Sequence, residues 1–280
     1  MEHRRVRTKP LRYGVTLAAA GLLVLAGSGR LAAQAPGGQD EDEAPPTAQA
    51  SAPIDLTGSW VSIVTEDWRW RMVTPAKGDY ASVPITEAAK KVADQWDPDA
   101  DEAAGEQCKS YGAAGLMRIP TRLRISWQDE NTLKIETDAG TQTRLLHFGD
   151  WQSPGGEPTW QGDSKATWTT PSRPGGSFGA GVNDAEGGGG PVAANRGSLD
   201  VVTTRMRPGY LRKNGLPYSA DATLTEYWDI LRQRDGTEWL VITTLIDDPL
   251  YLSRPWITSP NFRREPDDSK WDPTPCSARW

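Results

Sequence analysis

The sequence predicts a mainly β domain: an antiparallel meander of about eight strands, with one short helix on its N-terminal side. Three observations carry this expectation. Apolar and polar residues alternate with a period of two, as in Leu123, Ile125, Trp127 and then Leu133, Ile135. Turn sequences punctuate these runs at Asp138-Ala139-Gly140, Asn214-Gly215 and Asp235-Gly236. The 13 Trp supply large side chains for a core. Such a meander loses its edges by closing into a barrel; a two-layer sandwich satisfies the same periodicity.

Residues 1–35 read as an export signal. Arg4, Arg5, Arg7, Lys9 and Arg12 precede an apolar run, Val15 to Ala26, and Ala33-Gln34-Ala35 forms a small-residue cleavage site. The run is shorter than the roughly 20 residues that span a bilayer. The expected address is therefore periplasmic or secreted, with no stable membrane anchor after cleavage. The segment holds six Lys/Arg and one Glu, so its removal leaves 25 basic and 36 acidic residues, a net charge of −11 against −6 for the full chain. That balance, with no block of Lys or Arg, argues against a nucleic-acid partner.

Residues 36–53 are rich in Pro, Gly, Gln and acidic residues, a composition expected of a disordered linker. The folded unit then runs over 54–280 as a single β-rich domain. Its first strand opens at Thr57-Gly58-Ser59-Trp60. A helix is expected after Thr86, which can cap it, and Pro98 is expected to end it, with a second short turn over 101–107. Strands follow at 122–127, 133–136, 142–148, 164–170, 199–206, 222–232 and 239–246. The interval 171–197 is Gly-rich and reads as a flexible surface loop. No strand or helix pattern surrounds it that would make it a phosphate cradle.

Cys108 and Cys276 are the only cysteines. In an exported protein a disulfide is the expected state. A bridge between them closes a long loop and contributes about 4–5 kcal/mol in the chain-entropy model. Two Cys and one remaining His do not make a zinc constellation, and no sequence pattern calls for a cofactor. Asp97, Asp99 and Asp101 have the start of a calcium-loop spacing, but Glu102 and Cys108 stand where Gly and Glu are required.

Gly58-Ser59-Trp60, followed by the meander, resembles the G-x-W opening of lipocalin-like (calycin) barrels. The resemblance implies a Trp closing the barrel floor and a small ligand within. The texture of TEDWRWRMVTP, QTRLLHFG, PGYLRKNG and PTPCSARW resembles uncharacterised exported bacterial proteins, which implies no activity.

No serine-hydrolase, zinc-protease or P-loop motif occurs, so candidate chemistry rests on scattered residues. If TEDWRWRM continues as a strand, Asp67, Arg69 and Arg71 share one face and Glu66, Trp68 and Trp70 the other. Arg69 and Arg71 then suit the polar end of a ligand, with Trp68, Trp70 and Tyr227 as apolar contacts. The plain alternative is a rim of surface ion pairs. His147 is the one histidine beyond the signal and a candidate general base, or else a packed residue. Glu66, Asp67, Glu226 and Asp229 are the candidate carboxylates. Trp151 and Trp160 fall in loop-like stretches and are further candidates for exposure. Three functions follow: binding a small apolar or amphipathic molecule in a barrel cavity, acid–base catalysis (isomerase, lyase or hydratase) in the same barrel, or a structural role in the envelope.

Overall fold

A computed structural model describes residues 45–170 and 197–279. The signal, most of the linker and the Gly-rich interval 171–196 lie outside the described residues.

The expected β class is present, as a closed barrel of nine strands. β1 (Gly58–Ile63), β2 (Arg122–Asp129), β3 (Thr132–Thr137) and β4 (Thr143–His147) form the antiparallel meander. β4 pairs in parallel with β5 (Asp163–Thr169). β6 (Ser198–Thr204) follows antiparallel to β5. Next comes a separate hairpin, β7 (Gly209–Arg212) and β8 (Leu216–Tyr218), turning at Asn214-Gly215. β9 (Thr223–Arg232) pairs with β6, and β10 (Glu238–Asp247) pairs with β9 across the Asp235-Gly236 turn. β11 (Trp256–Thr258) and β12 (Asn261–Glu265) both lie on the free edge of β10, and β12 closes the ring against β1 with Ser59 opposite Glu265.

The ring departs from a purely antiparallel meander for a geometric reason. A closed ring of nine strands cannot reverse direction at every step, so one neighbouring pair must be parallel. That pair is β4–β5, and residues 148–162 carry the chain back along the barrel to make it. β11 and β12 keep one register on β10 and are interrupted only at Ser259-Pro260. Pro260 has no N–H to give the ladder, yet its carbonyl still accepts from Ile242 N at 3.0 Å.

The lumen is filled by the inward half of each alternation. Trp60, Leu123, Ile125, Leu133, Ile135, Leu146, Val201, Trp228, Leu240, Ile242 and Phe262 are buried there in one cluster. Trp60 donates its indole N–H to Leu56 O at 2.9 Å, and the Arg264 guanidinium lies 4.3 Å above its ring. Arg144 and Glu226 also point inward and pair with each other. The linker ends earlier than its composition implied. Residues 45–53 pack on the barrel: Ala48 is buried, its N–H bonds Asn131 Oδ1 at 2.9 Å, and its carbonyl accepts from Trp168 Nε1 at 2.8 Å.

One end of the barrel carries a cap. The connection from β1 to β2 supplies α1 (Trp68–Arg71), α2 (Glu87–Ala93), α3 (Pro98–Ala103) and α4 (Ala113–Leu116), and the β7–β8 hairpin joins them. Thr86 caps α2 as expected, its hydroxyl accepting from Ala89 N. Pro98 does not merely end a helix. It begins α3, at a position where the missing N–H costs nothing, behind an Asp97 cap. Beyond β12 the chain climbs the outer wall to the same end. Arg124 pairs with Asp268 and lies over Trp271, Thr274 N bonds Asp138 O, and Cys276 joins Cys108 in a disulfide with Cα atoms 5.1 Å apart.

Candidate functional site

The cap carries a small cleft, open to solvent and lined by Trp70, Arg71, Ser110, Gly115, Arg118, Ile119, Leu211, Arg212 and Lys213. Three stretches far apart in the chain converge here: α1, the segment running from Ser110 to β2, and the tip of the β7–β8 hairpin. The expected strand over TEDWRWRM is replaced by the single turn α1. It is set off by Asp67 at φ 50°, a left-handed conformation that Asp adopts more readily than most residues. The turn cancels the face assignment made from alternation. Arg71 and Trp70 face the cleft, whereas Arg69 pairs with Asp79 at 2.8 Å and is largely exposed. Trp68 is exposed.

The cationic residues of the cleft are buried: Arg71 is 3% exposed and Arg118, Arg212 and Lys213 each 5%. Arg118 is neutralised by a fork of Glu66 at 3.1 Å and Asp67 at 2.8 Å, and its guanidinium lies 4.7 Å from the Trp256 ring. Arg71 donates Nε–H to Arg118 O at 2.7 Å. Arg212 donates to Ala81 O at 2.8 Å and Ser82 Oγ at 2.7 Å, and stands 5.0 Å from the ring of Trp70. Lys213 donates to Tyr111 Oη at 2.8 Å.

Donors are in excess. Arg71, Arg118 and Arg212 share Glu66 and Asp67, the latter 3.7 Å from Arg212, and Asp79 also acts on Arg212. Arg71 Nη1, Arg212 Nε and Trp70 Nε1 are buried donors with no hydrogen-bond partner among the described residues. Burial, then the neighbouring Arg118, brings the Arg71 and Arg212 guanidiniums down to about 10. Burial alone brings the Lys213 amine down to about 8. A group whose charged form is disfavoured in this way is stabilised by any anion that comes close.

The covalent bridge braces this cleft. Cys108 immediately precedes the short 3-10 turn Lys109–Tyr111, which puts Ser110 into the wall. Tyr111 Oη also accepts from Ser277 N at 3.4 Å, and Arg279 O accepts from Lys213 at 3.5 Å. Gly140 packs so closely on Tyr111 that a Cβ there would meet the ring carbon Cδ1 at 2.2 Å.

The other expected site residues are dispersed. His147 lies on the outer wall of β4, not in the lumen. Its ring stacks on Trp151 at 4.1 Å and Nδ1 contacts Thr132 Oγ1 at 3.3 Å. Burial lowers its pKa below 6.5, against the raising effect of Asp129 and Asp163. Glu226 is in the lumen but is held by Arg144, so it does not meet His147. Tyr227 and Asp229 face outward on β9. Tyr227 is exposed, and burial, then Asp200, raises the Asp229 carboxyl. Acid–base chemistry built on His147 and a lumen carboxylate is therefore not assembled by this fold. Trp151 and Trp160 are half-buried, the latter beneath the Arg207 guanidinium at 4.5 Å. Asp97, Asp99 and Asp101 go separate ways: a helix cap, an ion pair with Arg279, and an ion pair with Lys109.

Sequence reasoning missed Arg118, Arg212 and Lys213. Only Arg212-Lys213-Asn214-Gly215, basic residues set at a hairpin turn, carried a usable signal. No protein-family model, curated protein or solved structure matches the chain.

Proposed function

We propose that the protein is an exported binding protein for a small molecule with an anionic end, a carboxylate or phosphate, received in the cap cleft. The observation that carries the reading is the set of unpartnered, buried donors: Arg71 Nη1, Arg212 Nε and Trp70 Nε1. A buried donor without an acceptor costs on the order of 1–3 kcal/mol, and more when charged. An oxyanion accepting from two guanidiniums and an indole removes that cost at one stroke. Arg presents a planar fork suited to such groups. The disulfide supports work in an oxidising compartment, and no helix among the described residues is long and apolar enough to cross a membrane.

The expectation of a ligand inside the barrel has less support, because large side chains occupy the inward positions. The lipocalin-like resemblance therefore extends, in this reading, to the barrel and not to its usual binding place.

Isothermal titration with inorganic phosphate and with acetate tests the proposal. Saturable binding is expected for at least one probe, weakened about tenfold or more in Arg71→Gln and in Arg212→Gln. Unchanged affinity in the double variant, or no binding of either probe by the oxidised protein, rejects it.

A further inference from the structure

The turn that brings Trp70 and Arg71 to the cleft shows solvent an apolar side. Trp68 is 69% exposed, and the following Met72 and Val73 are 55% and 56% exposed. Nine large apolar residues are exposed among the described ones, and Leu250 and Ile257 are two more of them. Both sit at the same capped end, in the β10–β11 connection and on β11. Ile257 directly follows Trp256, whose ring contacts the Arg118 and Arg212 guanidiniums. The capped end thus joins a recess of buried cations to exposed apolar surface carried by the same short segments. Apolar surface grouped in this way marks a binding surface more often than singly scattered residues do.

We infer that the molecule bound is a single-chain amphiphile. Its carboxylate or phosphate head enters the cleft between Arg71 and Arg212, and its alkyl chain lies outside the barrel on Trp68, Met72 and Val73. The inference rests on the anion-binding reading above and adds the second half of the ligand. Two observations favour this occupant. The inward positions of the barrel are filled, so an apolar chain attached to a head in the cleft has the α1 surface as its available cover. The guanidiniums are 3–5% exposed, which suits one head inserted from solution better than the flat plane of headgroups on a bilayer.

Decyl phosphate below its micellar concentration, inorganic phosphate and decyltrimethylammonium are titrated against the oxidised protein, with Trp fluorescence and calorimetry as readouts. Decyl phosphate is expected to bind at least about tenfold tighter than inorganic phosphate, the gain from burying roughly two methylenes. The quaternary amine is not expected to bind. In the double variant Trp68→Ser, Met72→Ser the gain from the chain disappears while inorganic phosphate binds as before. Equal binding of the two phosphates, or a chain-length gain that survives in the double variant, overturns the amphiphile and leaves the anion site standing. Failure of both phosphates rejects the two readings together. Co-sedimentation with phosphatidylglycerol vesicles but no binding of monomeric decyl phosphate overturns the inference in favour of a membrane surface.

Discussion

Replacing Glu226 alone leaves a buried cation stranded. Arg144 is 1% exposed and Glu226 fully buried, and the two form a fork with Nη1 to Oε1 at 3.0 Å and Nη2 to Oε2 at 2.5 Å. The guanidinium has two further partners, Thr203 Oγ1 at 2.7 Å and Ser164 Oγ at 3.3 Å, neither of them charged. Glu226→Leu removes the only countercharge among the described residues that bonds it, at an expected cost of about 3–5 kcal/mol. Arg144→Met alone strands the carboxylate at a similar cost. The double variant removes both charges and leaves Ser164 and Thr203 bonded to each other at 2.8 Å. It should be within about 1 kcal/mol of the parent or more stable, since apolar replacements of a buried pair often stabilise by roughly 1–4 kcal/mol. Urea unfolding followed by Trp fluorescence, with the disulfide kept oxidised, measures all four proteins in one cycle. Single substitutions costing under about 1 kcal/mol, or a double variant as unstable as the sum of the singles, refute this account of the lumen.

Cys108→Ala with Cys276→Ala should lower stability by about 4–5 kcal/mol, since the bridge spans 168 residues of sequence, and should weaken phosphate binding by loosening the Ser110 wall; unfolding curves and calorimetry read both. Phosphate affinity should fall as pH rises through about 8, where Lys213 loses its charge, and Lys213→Gln should flatten that step. His147 should titrate below 6.5 by NMR, and Trp151→Ala should move it upward. Because its folded pKa is lowered, the unfolded chain binds the proton first, so stability should decline as pH falls through 6.5 towards the folded value. Gly140→Ala should cost about 1–3 kcal/mol in thermal or urea unfolding, because a side chain at φ 78° is strained and meets Tyr111.

The wall of the barrel was legible because alternation reports which side of a strand is buried. β9 and β10 show it best: Leu224, Glu226, Trp228 and Leu240, Ile242, Thr244 point inward around a turn that Asp235-Gly236 announces. The sequence left open whether Glu226 faces inward or to water, and its partner Arg144, 82 residues away, could not be paired by pattern. β11 and β12 were not foreseen because Pro260 breaks them into pieces too short to show a period. Trp-Arg-Trp-Arg misled for the opposite reason. A period of two over four residues is also what one turn of helix can carry when tertiary contacts decide. The cleft was out of reach because its cations come from three cap segments, and only folding sets Arg71, Arg118 and Arg212 side by side.

The pairing of β1 with β12 also fixes an order of events. Ser59 must find Glu265 before the ring is complete, so the seam closes across most of the folded sequence. The entropic toll of such a distant meeting grows only slowly with loop length, but it falls due before the contacts repay it, and closure is correspondingly slow. The local hairpins β2–β3 and β9–β10 can form early, each with a turn of its own. Until β12 arrives, β1 and β10 present open edges, a state prone to pairing with other chains. A chaperone that shields the chain would act in that interval, with the seam still open.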